Sequence, residues 1–207
     1  MKSDAIAFGI AGVVFGLIAG WIIGSQQAGL REAAPAPVAA ASAPATSGTP
    51  SAPPPPLLDE SKVTAFRTIA EREPNNPKPR VELANLYFDS EKYDDAIKWY
   101  ADALKLAPND VNVSTDLGVS YYYTNQADKA LEQFSHSLQL DPKHAKTLLN
   151  VGVVKAFGKQ DLPGAQEAWE KVVQVAPDSP EGQAAKRALD SLRSAHPGGT
   201  PGTKPGA

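Results

Sequence analysis

The sequence predicts an all-α domain built as an α-solenoid of antiparallel helix pairs stacked in series, with an apolar segment and a Pro/Ala-rich spacer ahead of it. Three observations predict it. Pro74, Pro108, Pro142 and Pro177 stand 34, 34 and 35 residues apart, each closing a helical pattern that proline cannot continue. Ahead of the last three prolines, apolar residues recur at spacings of three and four. These are Ala96, Tyr100, Ala103, Leu104 and Ala107; then Ala130, Phe134 and Leu138; then Ala165, Trp169, Val172, Val173 and Ala176. Each set therefore shares one helix face. Small residues keep the same interval: Ala84, Gly118 and Gly152 are 34 apart, as are Ala96 and Ala130. A large side chain at such a crossing would overpack it, at about 1–3 kcal/mol.

After a tip at 1–4, residues 5–24 carry no charge over twenty positions. At 1.5 Å per residue this matches a hydrocarbon core of roughly 30 Å. The stretch is longer than the apolar part of a cleaved signal, and the Ala-rich residues after it are interrupted by proline, so an uncleaved anchor is expected. Lys2 precedes it and Arg31 follows, a nearly even balance of positive charge. The Pro/Ala linker resembles those of bacterial inner-membrane proteins that reach into the periplasm, which favours the domain lying there. Gly12, Gly16, Gly20 and Gly24 form a stripe through which two copies could pair, although glycine is also simply common in membrane helices.

Residues 25–57 read as a disordered linker. Positions 33–56 hold only Ala, Pro, Ser, Thr, Gly and one Val, too little apolar surface to offset the entropy of ordering. As an extended polyproline chain the spacer would reach roughly 80 Å at most. Pro53 to Pro56 suit a stiff spacer better than a ligand for Pro-binding modules. The tail at 196–207, HPGGTPGTKPGA, is likewise expected to be disordered.

The net charge of −3 offers no basic footprint for a phosphate backbone, so no nucleic-acid partner is expected. The absence of cysteine removes disulfides and thiolate chemistry and leaves the compartment open.

An earlier helix precedes each apolar series: Leu83, Ala84 and Tyr87; Leu117, Gly118 and Tyr121; Val151 and Gly152. Together with the closing prolines, these residues resemble the tetratricopeptide repeat (TPR) family over roughly residues 58–194. The units are 77–110, 111–144 and 145–179. The second, LGVSYYYTNQADKALEQFSHSLQLDP, matches best. Departures are Ser137 where the family prefers Ala, Lys155 where a Tyr is expected, no early Trp, and one extra residue assigned to the QDLPGA turn. Residues 58–76, around Phe66, Ile69 and Pro74, look like a capping half-repeat. Residues 180–195 look like a capping helix, with Ser179 as N-cap, Pro180 at the first position and Ala184, Leu189 and Leu192 covering the last pair.

The resemblance implies a concave groove lined by the first helix of each unit. It would hold Lys78, Val81, Asn85 and Phe88, then Asn112, Thr115, Val119 and Tyr122, then Lys146, Leu149, Val153 and Ala156. Phe88 and Tyr122 would receive side chains of a bound peptide, and Asn85 and Asn112 would grip its backbone; the competing reading is that the two rings complete packing within their own repeats and never meet a ligand. A carboxylate clamp of the kind some members use is not expected. Asn85 and Lys146 fit it, but Val81 and Asp116 stand where Lys and Asn are needed.

An enzyme is not expected. His136, His144 and His196 fall on a second helix, a turn and the tail and read as solvated, and no HExxH, phosphate loop or GxSxG appears. No metal or cofactor is implied. Asp94 and Asp95 suit a helix start, where they favour the macrodipole and cap it. Trp99 and Trp169 suit packing, with edges that could be exposed. The expected function is a membrane-anchored scaffold or adaptor that docks a protein or peptide segment and supports complex assembly. The alternatives are a component of cytochrome c maturation, by analogy with tethered TPR domains of the haem lyase system, and a self-associating structural membrane protein.

Overall fold

Eight α-helices and one π-helical segment follow one another in a computed structural model that describes residues 57–195. The expected tip, anchor, glycine stripe and tail, and the linker up to residue 56, lie outside the described residues. Among the described residues no helix is long and apolar enough to cross a membrane. The helices are α1 (Glu60–Arg72), α2 (Lys78–Asp89), α3 (Tyr93–Leu106), α4 (Val111–Tyr123), α5 (Ala127–Leu140), α6 (Ala145–Val153), α7 (Leu162–Val175) and α8 (Pro180–Ala195); the π segment Val154–Gly158 continues α6. Each helix packs on the next, and α8 also lies against α6.

Polar side chains start several of these helices by occupying backbone donors that no helical carbonyl reaches. Asp59, Asp110 and Asp161 accept from the N–H groups of Lys62, Val113 and Gly164 at 3.1, 3.0 and 2.9 Å. The Ser179 hydroxyl does the same for Gly182 at 3.0 Å. Such a cap is worth about 1 kcal/mol. Asp94 and Asp95 do not cap α3: they sit in its first turn, and no side chain caps it at Lys92. Their contribution is limited to the helix dipole.

The turn inside each pair is the same in all three units. Its middle residue, Glu91, Asn125 or Gln160, takes the left-handed conformation at φ of 57°, 60° and 56°. The extra residue of the third unit is therefore not in the QDLPGA turn. It lies in the first helix: α4 spans 13 residues, whereas α6 with 9 and its π continuation with 5 run one residue longer. The closing bonds report the same shift. Lys92 N–H reaches Tyr87 O at 2.8 Å and Gln126 N–H reaches Tyr121 O at 2.9 Å, five residues back; Asp161 N–H reaches Lys155 O at 2.8 Å, six back. A π-bulge absorbs the insertion without disturbing the turn that aims α7.

The repeated small residues are holes that aromatic knobs fill. A Cβ placed on Gly118 would run into the Phe134 ring, and one on Gly152 into the Trp169 indole. Both rings are buried. Trp169 is thus a core residue with no exposed edge, and its indole N–H donates to Leu149 O at 3.2 Å; Trp99 is half-buried. In the first unit Leu83, Ala84 and Tyr87 interleave with Ala96, Tyr100 and Ala103, extended by Val63 of α1 and by Val113 and Leu117 of α4. The terminal helices bury Val63 and Ala70 on α1 and Ala184, Ala185, Ala188 and Leu189 on α8. Ile69 departs from expectation and is exposed.

Candidate peptide-binding face

The first helices of successive units stand side by side. Thr115 and Thr147 share a hydrogen bond of 2.7 Å between α4 and α6, and Lys146 Nζ donates to Asp116 Oδ1 at 2.6 Å across the same gap. Along this face the sequence-derived residues separate into two groups. Lys78 and Asn112 are exposed, and Val81, Asn85, Phe88, Tyr122 and Lys146 are half-buried. Thr115, Val119, Leu149, Val153 and Ala156 are buried and offer no surface to a ligand. Val119 belongs to the cluster of Ala130, Phe134 and Val154, Thr115 faces Thr147, and α8 lies over α6. These five support the face from beneath.

Several of the half-buried residues have partners within the fold, Lys146 among them. Asn85 Oδ1 accepts from the Tyr100 hydroxyl at 2.6 Å, which leaves its two N–H donors to offer. Phe88 meets Tyr93 and Tyr123 edge-on at 5.2 and 5.8 Å, and those two tyrosines stack at 4.6 Å. Phe88 therefore helps join the first unit to the second. Tyr122 lies beside Tyr123, with ring centroids 5.9 Å apart, and its hydroxyl pKa is pushed up to about 12 by burial and by Tyr123. Next to this cluster a shallow cleft of about 500 Å³ opens between the two helix turns, with Tyr93 and Tyr123 in its wall.

Beneath the face, hydroxyls that sequence reasoning did not single out form a continuous chain. Ser137 donates to Ser114 at 2.8 Å and Thr115 to Ser137 at 3.4 Å, and Thr115 continues to Thr147. Histidines sit at its two ends: His136 Nδ1 is 3.2 Å from Ser114 Oγ, and His144 Nδ1 is 2.7 Å from Thr147 Oγ1. Neither is simply solvated. Ser137, the departure from the family's alanine, is satisfied by this chain, and among the described residues no buried side-chain polar atom lacks a partner. The signal in the sequence was a run of small hydroxyl residues at buried helix positions.

Burial holds the His144 imidazole below its ordinary pKa, partly opposed by Asp141, Asp116 and Glu181 and reinforced by Lys146. The unfolded chain then binds this proton more readily than the folded one. The contribution of His144 to stability is fully present above about pH 6.5 and is lost as the pH falls through the folded value. His144→Gln is expected to flatten the fall in urea midpoint between pH 7.5 and 5.5; an unchanged slope would contradict the assignment. Asp116 and Asp89 are shifted the other way. Burial, the larger cause for both, raises their carboxyls; the charge of Asp116 adds to Asp89, while Lys146 lowers Asp116. Among the described residues no group of side chains is arranged to hold a metal ion.

Comparison with known proteins agrees with the helix pairing. The TPR repeat model matches residues 84–124, and no curated protein matches the chain. Among solved structures, MamA is similar at 17% identity and a TM-score of 0.54, over 64% of this chain and 85% of that one. The first TPR of Spaghetti (RPAP3), bound to the HSP90 peptide SRMEEVD, is similar at 23% identity and a TM-score of 0.53, over 58% of this chain and 94% of that one. A second MamA structure gives 19% identity and 0.53, over 63% and 75%.

Proposed function

We propose that the chain is an adaptor that docks an extended protein segment on the face formed by α2, α4 and α6; the match of residues 84–124 to the TPR repeat model and the likeness of the fold to a solved TPR support this reading. The observation that carries this is the placement of Asn85, Asn112 and Tyr122 on neighbouring first helices, none of them buried. A peptide laid along them meets amide donors and an aromatic ring in series. The peptide held by the similar TPR of RPAP3 supports the same use of the fold. Lys78, Val81 and Lys146 complete the accessible surface.

In this reading residues 5–24 tether the adaptor to a membrane, residues 25–57 give it reach, and the repeats work in the periplasm during assembly of a protein complex. The twenty uncharged residues and the Pro/Ala composition support the tether and the spacer. Pairing of two copies through Gly12, Gly16, Gly20 and Gly24 belongs to the same proposal and rests on their four-residue spacing.

The test takes the partner recovered by crosslinking the intact chain in its membrane. Tyr122→Ala and Asn112→Ala are each expected to weaken its binding about tenfold, equivalent to about 1.4 kcal/mol, with helical circular dichroism unchanged. Undiminished binding by both variants would remove the face from the account.

A further inference from the structure

We infer that this face selects a partner segment carrying arginine or lysine side chains and disfavours an acidic one. The inference rests on the docking reading above and adds the chemistry of the partner. Glu82, Asn85 and Asp89 are spaced by three and four residues on α2, which places them on one stripe of the helix. Asp116 stands on the neighbouring first helix, α4, close enough that its charge raises the Asp89 carboxyl. Asp89 is exposed and makes no hydrogen bond or ion pair among the described residues.

The cations do not balance these carboxylates. Lys146 is the residue that would meet a ligand's carboxylate, and it is already engaged: its Nζ lies 2.6 Å from Asp116 Oδ1, with only 23% and 24% of the two side chains exposed. Releasing that lysine to an acidic ligand would leave Asp116 half-buried without its partner, and breaking such a pair is costly because one charge remains uncompensated. Val81, where a lysine would be needed, carries no charge at all. With Asp116 and Lys146 paired to each other, an acidic segment thus meets Glu82 and Asp89 with one exposed cation, Lys78, at the far end of the stripe. A guanidinium laid over Asp89 gains a carboxylate in an environment less polar than water and relieves its repulsion with Asp116. It can also donate hydrogen bonds in a fixed plane to two carboxylate oxygens.

The closing experiment uses two labelled peptides of equal length and apolar content, one with two arginines and the other with two glutamates at the same positions, titrated against the full chain. The arginine peptide is expected to bind at least about tenfold more tightly, a preference that shrinks as salt screens the charges. Asp89→Asn, at an exposed site, is expected to remove most of that preference. Asp116→Asn releases Lys146 and is expected to move the preference toward the glutamate peptide. Equal or reversed affinities in the unaltered chain would overturn the inference, as would a preference that survives Asp89→Asn. Failure of the docking reading looks different: the arginine peptide would bind Tyr122→Ala and Asn112→Ala with undiminished affinity while its preference still vanished in Asp89→Asn, which would overturn the docking face and leave the charge selection at Asp89 standing.

Discussion

Trp169→Ala is expected to lower the stability of the repeat domain by about 3–5 kcal/mol, the range for emptying a buried aromatic site. The indole is buried in the space that Gly152 leaves open, and its N–H satisfies Leu149 O. Removing it opens a cavity between α6 and α7 that glycine cannot fill and takes a donor from a buried carbonyl. Because α8 packs on both helices, the loss should propagate to the C-terminal end of the array, where terminal units are held only by their neighbours. Chemical denaturation read by circular dichroism would show it as a lower midpoint. A change below about 1 kcal/mol would mean that the site collapses freely and that the knob-in-hole description of the third unit is wrong.

The second large effect is the converse. Gly118→Leu is expected to destabilise by about 1–3 kcal/mol or more through overpacking, because the first added carbon already overlaps the Phe134 ring, which is itself buried in the second unit. Leucine has a helix propensity better by nearly 1 kcal/mol than glycine, so propensity alone predicts stabilisation; the two arguments differ in sign and one denaturation curve decides between them. The double variant Gly118→Leu with Phe134→Ala should recover part of the loss, since the truncated ring frees the volume that leucine needs. Failure of that rescue would place the damage in the helix itself and not in the contact.

Much of the architecture was readable because a stacked repeat writes its contacts at a fixed interval. The proline spacing located the ends of α3, α5 and α7, and the paired small residues located the crossings that Phe134 and Trp169 fill. The N-cap at Ser179 followed from local chemistry, whereas the buried face of α1 did not, since Val63 and Ala70 lie inside and Ile69 does not. The position of the extra residue did not: a 35-residue interval says that one residue was added, while only the backbone shows that the first helix took it up after Lys155 as a π-bulge and left the left-handed turn at Gln160 in register. The accessible face of the first helices was legible by helix and only partly by residue. Helical spacing assigns Thr115, Leu149 and Val153 to the same stripe as Asn112 and Lys146, yet how closely α4, α6 and α8 approach decides which of them reach solvent, and that distance has no local signature. The same holds for the two histidines, whose partners Ser114 and Thr147 were ordinary helix residues until the helices were laid together. Asp116 was noticed as a departure from the clamp pattern; what it does, engaging Lys146, is a property of the assembled face.

The central claim, that the first helices form the docking surface, is tested most directly by photocrosslinking from single sites in the intact chain in cells. A crosslinker is placed at Asn112, on the proposed face, or at Ser135, exposed on the second helix α5. The account predicts one discrete adduct from Asn112, lost in Tyr122→Ala, and none from Ser135. An equal adduct from Ser135, or one from Asn112 that persists in Tyr122→Ala, would contradict it.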